Sequence, residues 1–168
     1  RRGDLMYHYT VCGLDYVFLR DGFVQRKTPY GTGVSFHNAD ELDLAIAHFV
    51  IHSPMRLRGQ EVRFLRSHFK ASQKDLADTL GVKRVTVARW EGQPHTAIPG
   101  APDRLLRILA AKVLFGIEGL ESVFLSLPEI DSSITIEELQ MAYVPAESNS
   151  ELPGIIDHHR EGWQAKAA

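Results

Sequence analysis

A single cysteine, Cys12, stands among the 168 residues, which excludes an intramolecular disulfide framework. No apolar run approaches the ~20 residues of a transmembrane helix, so no membrane partner is expected. Nor is a signal peptide expected ahead of the fold. No internal repeat is apparent. Structural zinc takes four Cys or His ligands. Cys12 has His8 four residues before it and His37 as a conceivable third ligand, but no second cysteine. His48 and His52 share metal-ligand spacing without a carboxylate in the next turns, and His158-His159 beside Asp157 reads as solvated. No metal or cofactor is therefore expected. No stretch pairs a nucleophile with a base, forms a Gly-rich phosphate loop or sets two carboxylates on one face, so no enzymatic activity is expected either.

A strong surplus of one charge is also missing, since 19 Lys and Arg face 21 Asp and Glu for a net −2. The distribution is uneven. Residues 56–92 carry nine Lys/Arg against four Asp/Glu, a net +5, whereas residues 116–168 carry two against ten, a net −8. A basic module concentrates attraction for phosphate on one part of the molecule. The acidic end would then repel DNA or compete for the basic face. With 44% apolar and 24% charged residues, the chain has the composition of a soluble globular protein with a proper core.

The basic segment is organised as three short helices. Val62, Leu65 and Phe69 share one face of a helix over residues 61–69. Ser72 is placed to cap QKDLADTL, with Asp75 completing a capping box. Gly81 ends that helix in the left-handed conformation glycine tolerates. Val82 and Lys83 alone separate it from RVTVARWE, so the two helices meet at a sharp angle, the plan of a helix-turn-helix. In the third helix Val87 and Trp90 point inward. Arg84, Thr86 and Arg89 are left outward, Val85 lies near the border, and Lys83 sits at the corner.

Gln73, Leu76-Ala77, Gly81, Val87 and Trp90-Glu91-Gly92, all in register, resemble the Xre/Cro-type phage-repressor family over residues 58–127. The resemblance implies that the first turn of the third helix enters the major groove of double-stranded DNA, with Arg84, Val85, Thr86 and Arg89 as base-edge candidates. Arginine can place two hydrogen bonds on guanine, and threonine offers a hydroxyl and a methyl. It makes Gln73, Lys74 and Lys83 phosphate contacts, which position without reading sequence. It also makes Arg66 and Glu91 a partly buried ion pair between the first and third helices. His95 and Thr96, in the following loop, are weaker phosphate candidates. A cytoplasmic setting follows from the same resemblance.

Ahead of this segment, Tyr7, Tyr9 and Val11 alternate with His8, Thr10 and Cys12 as a half-buried strand does. Asp15 to Arg20 reads as a second strand, Asp21-Gly22 as a hairpin turn, and Phe23 to Lys27 as the return. Val34 to Phe36 adds a short strand. Asn38 and Glu41 are placed to cap a helix with Leu42, Ala45, Ile46, Phe49 and Val50 on its apolar face. A small sheet, a helix and then a repressor-like module resemble the MqsA-type antitoxins, whose N-terminal zinc module, usually with two Cys-x-x-Cys pairs, binds a toxin. Lone Cys12 departs from that pattern, and a buried thiol under the hairpin is the expectation.

Pro102 is placed to begin a long helix, with Asp103 in its first turn. Leu105, Leu106, Ile108, Leu109, Val113, Leu114 and Phe115 cover more than one face, so burial on two sides is expected, the second against another copy of the chain. Residues 118–127 continue the helix. ITIEELQMAY reads as a short helix or an edge strand, the helix favoured. From Pro145 the composition suggests a flexible tail, in which Ile155, Ile156 and Trp163 could dock on a neighbour.

The expected fold is α+β: a small β-hairpin and sheet plus helix over 1–55, a mainly α five-helix helix-turn-helix domain over 56–127, and an acidic extension over 128–168. The expected function is that of a sequence-specific, homodimeric repressor of its own operon at a palindromic operator. The alternative is an antitoxin that neutralises a protein toxin by binding it.

Overall fold

The computed structural model describes residues 6–145 and 162–167, and the fold is α+β. Its elements are β1 (Tyr7–His8), β2 (Val17–Leu19), β3 (Phe23–Thr28), β4 (Gly31–Phe36) and α1 (Ala39–His52), then α2 (Gly59–His68), α3 (Gln73–Leu80), α4 (Arg84–Glu91), α5 (Gly100–Ser126), β5 (Leu139–Val144) and β6 (Gly162–Ala167). Ile155, Ile156, Asp157, His158 and His159 lie outside the described residues.

The strands divide into a four-stranded sheet of order β1-β2-β5-β6 and a separate two-stranded ribbon, β3-β4. This corrects the expected hairpin at Asp21-Gly22. β2 pairs antiparallel with β1 and parallel with β5, in the register Val17 to Leu139 and Leu19 to Met141. Val17 and Leu19 are fully buried, so β2 needs a partner on both edges. A distant strand supplies more burial than the adjacent ribbon. Gly22, at φ 72°, turns the chain out of the sheet. A Cβ there would overlap the Trp163 indole, while the Asp21 carboxylate accepts the Tyr143 backbone N–H at 2.6 Å.

Three further expectations are corrected. ITIEELQMAY is not helical, since residues 139–144 form β5 between β2 and β6. Trp163 belongs to β6 and packs into its own chain's core, its indole N–H donating to the His37 carbonyl at 2.9 Å. The first strand stops at His8. Tyr9 is buried, Val11 is 72% exposed, and Gly13 closes a turn with its N–H on the Thr10 carbonyl. A fourth concerns Asn38, which precedes α1 in the left-handed region without capping it; its amide instead donates to Glu41 at 2.6 Å.

Leu42, Ile46, Ala47, Val50 and Ile51 of α1 join the buried cluster that runs through sheet and helices. α5 begins at Gly100, two residues before Pro102, and Gly116 interrupts its helical backbone at φ 70°, ψ −155°. Among the described residues no helix is long and apolar enough to cross a membrane.

One buried charge pair ties these parts together. Arg107 and Asp103 of α5 are both fully buried, 2.6 Å apart. The Arg107 guanidinium also donates to the carbonyls of Ser53 and Met55, each at 2.5 Å, and to that of Ile51 at 3.2 Å. Asp103 accepts the Leu57 N–H at 2.8 Å. The orphan carbonyls at the end of α1 are thus satisfied by a side chain from α5.

Candidate nucleic-acid interface

The three-helix segment takes the local form its residues dictate. The Ser72 hydroxyl accepts the Asp75 N–H at 3.1 Å while the Asp75 carboxylate accepts the Ser72 N–H at 3.0 Å. This reciprocal box satisfies two donors at the start of α3. Gly81 ends α3 at φ 69°, ψ 29°, and Val82 donates to the Ala77 carbonyl. Lys83 already stands in extended backbone before α4, so the corner between the helices is three residues long. Val87 and Trp90 of α4 are buried against α2 and α3.

What α4 leaves outside is Lys83, Arg84, Val85 and Arg89, with Thr86 half-buried. Val85 is 62% exposed, which is costly to leave wet unless another surface covers it. Arg66 and Glu91 form a two-point ion pair at 2.5 and 2.9 Å. Burial pushes the Glu91 carboxyl upward, but hydrogen bonds from Arg66 and Gln73 outweigh it and hold the group below its usual range. The bond to Glu91 likewise raises Arg66.

Gln73 has a role beyond the one its position suggests. Its amide N–H donates to Glu91 at 3.0 Å, and its amide oxygen accepts from Arg84 at 3.4 Å. Arg66, Glu91, Gln73 and Arg84 therefore form one chain of polar contacts across α2, α4 and the start of α3. Arg84 is preoriented at its root but remains exposed. Lys74 is paired with Asp78 at 2.5 Å on open surface, an attachment worth a few tenths of a kcal/mol and easily exchanged. His95 is held 2.6 Å from Asp15. Burial raises that carboxyl, but the His95 and Gln60 hydrogen bonds more than offset it. The Thr96 carbonyl accepts the Gly59 N–H.

Gly59 escaped the sequence reading. A Cβ there would overlap the carbonyl oxygens of Trp90 and Gln93, so only glycine lets the start of α2 abut the end of α4. The Gly59 and Gln60 N–H groups donate to the Thr96 and Pro94 carbonyls, which fixes the angle of α4. A glycine just ahead of an apolar-periodic run was the available signal.

The histidines and the cysteine have other partners. His8 stacks on Phe18 at 4.6 Å and contacts the Asp15 carbonyl. His37 packs on Tyr143. His48 and His52 stack at 4.2 Å, and His52 reaches Ser122 at 2.7 Å. The half-buried Cys12 thiol donates to the Tyr9 carbonyl, and burial pushes it up to about 11. Among the described residues no group of three or more His, Cys, Asp or Glu could hold a metal ion.

No protein-family model, curated protein or solved structure matches the chain.

Proposed function

We propose that this chain is a sequence-specific DNA-binding regulator of the Xre/Cro helix-turn-helix type, a cytoplasmic homodimer that represses its own operon at a palindromic operator. The observation that supports it most is α4 itself. Its inner face is locked by Val87, Trp90 and the Arg66–Glu91 pair, while its outer face offers Lys83, Arg84, Val85 and Arg89. A rigid helix with free cations at its N-terminal end suits insertion into the major groove. Arg84, Thr86 and Arg89 would meet base edges and Val85 a thymine methyl. Lys83, Lys74 and Gln73 would meet phosphates.

The test is fluorescence-anisotropy binding to the DNA upstream of the gene, against a scrambled duplex, at two salt concentrations. The expected preference is at least about a thousandfold. Arg84→Ala should cost about 1–3 kcal/mol on the specific site and relax one base position. Lys83→Ala should weaken both duplexes alike and lower the salt slope by about one. Equal binding to both duplexes by the wild type would overturn the proposal.

The antitoxin reading is favoured by one feature, the apolar residues α5 leaves uncovered. Val113, Ile117, Phe124 and Leu125 are 61%, 65%, 53% and 82% exposed. A partner of either kind would cover them. Light scattering separates the readings, since a dimer uses this face for a second copy and a monomer leaves it for a different protein.

A further inference from the structure

The β3-β4 ribbon stands apart from the core and is exposed along most of its length. Its register pairs Phe23 with Phe36, Gln25 with Val34, Arg26 with Gly33, Lys27 with Thr32 and Thr28 with Gly31, closed by Pro29-Tyr30. Strand alternation gives it two unlike faces. Phe23, Val34 and Phe36 are half-buried on one, with Phe23 and Phe36 against Tyr7 and Phe36 against Tyr9. The other carries Val24, Arg26 and Thr28 opposite Ser35, Gly33 and Gly31, all exposed. Residues 22–37 hold Arg26 and Lys27 and no carboxylate.

Gly33 is a glycine the chain itself does not require. A Cβ there would meet nothing nearer than the Arg26 carbonyl oxygen at 3.8 Å, and its backbone is not left-handed. A bare strand position with no internal cause marks a place where an external group comes close to the backbone. Beside it lies Arg26, whose fork matches a phosphate.

The base of the ribbon is joined by direct contacts to the helical segment. Phe36 packs on Tyr9 at 4.9 Å, the Tyr9 hydroxyl donates to Asp43 at 3.0 Å, and Asp43 lies 3.6 Å from His68 at the end of α2. From His68 the chain turns within four residues into α3 and Gln73. The ribbon thus springs from the end of α2 that leads to the proposed phosphate contact. Six residues per strand reach about 20 Å.

We propose that the β3-β4 ribbon is a second DNA-binding arm, which lays its glycine-lined face, with Arg26, along the phosphate backbone of the duplex held by α4. Lys27, on the opposite face, adds to the field without carrying the contact. This rests on the DNA-binding reading, and charge commits it to duplex DNA over a protein partner. The ribbon offers cations, hydroxyls and bare backbone with a lone exposed Val24 along that face.

The experiment measures salt-dependent binding of the full chain to the upstream and scrambled duplexes. It compares wild type with Arg26→Gln/Lys27→Gln, with Gly33→Val, and with Arg84→Ala as a base-reader control. All these sites are exposed, and unchanged thermal melting checks the fold. For two lost phosphate interactions the double variant should lose about 1.8 from the salt slope and on the order of tenfold in affinity, on both duplexes. Gly33→Val should weaken both several-fold with no change in charge. An unchanged slope in the double variant, or Gly33→Val binding as tightly as wild type, overturns the arm while leaving α4's role standing. A wild type that binds neither duplex overturns both.

Discussion

Arg107 shows why a buried charge in this chain is structural. It is fully buried in α5, and its guanidinium faces Asp103 together with the carbonyls that end α1. Removing one partner of a buried pair strands the other, at a cost of about 3–5 kcal/mol. Arg107→Met should therefore destabilise the protein by that amount in urea titrations. Replacing both partners often restores stability in buried pairs. Here Asp103→Leu with Arg107→Met should restore only part, because the Ser53 and Met55 carbonyls still lose their donor. Full recovery in the double variant would mean those carbonyl bonds contribute nothing. None of this was legible in the sequence, where Arg107 sits among leucines as an ordinary surface cation of an amphipathic helix. Its partners lie about fifty residues upstream, and only the packing of α1 on α5 brings them together.

At the scale of elements, the helices could be read and the sheet could not. The Ser72–Asp75 box, the Gly81 stop and the inward Val87 and Trp90 are local, and each stands where spacing placed it. β2 and β5 are about 120 residues apart and become partners only in three dimensions. Asp21-Gly22 offered a stronger local signal and misled. The candidate site divides similarly. The Arg66–Glu91 pair was legible from position, whereas the Gln73 link between Glu91 and Arg84 depends on how α3 meets α4. The contact between α1 and α2 carries a pH dependence. Hydrogen bonding to Asp43 raises the His68 pKa above its ordinary 6.5, against the opposing effect of burial, with the Phe64 carbonyl assisting. The folded state then holds the proton more firmly than the unfolded state. Its stabilisation is complete below the unfolded value and is lost as pH climbs through the folded one. Wild type should accordingly lose stability between about pH 6 and pH 8, measured by urea titration at each pH. His68→Gln should lack that component. A variant with the same pH slope as wild type would remove His68 as its source.

For the whole molecule, the question is what covers the outer side of α5. Ile117, Phe124 and Leu125, each more than half exposed, lie beyond the break at Gly116. The inner side of the same segment is already packed: Val123 is buried, and Ser122 meets His52 of α1. The sequence expected burial on two sides, and the chain itself supplies only one. A two-fold contact through this face would present two α4 helices and, with them, two ribbons. Half-sites should then repeat about 10 bp apart. Placing charge in the seam with Phe124→Glu/Leu125→Glu tests this without touching α4 or the ribbon. Light scattering should report monomer, and affinity for the full palindrome should fall to that of a single half-site. Binding to an isolated half-site should be unchanged, since each α4 still reads alone. If the double variant remained dimeric with wild-type affinity, α5 would not be the seam. If it became monomeric yet kept full affinity for the palindrome, two copies would be binding independently, and the symmetry of the operator would carry no cooperative advantage.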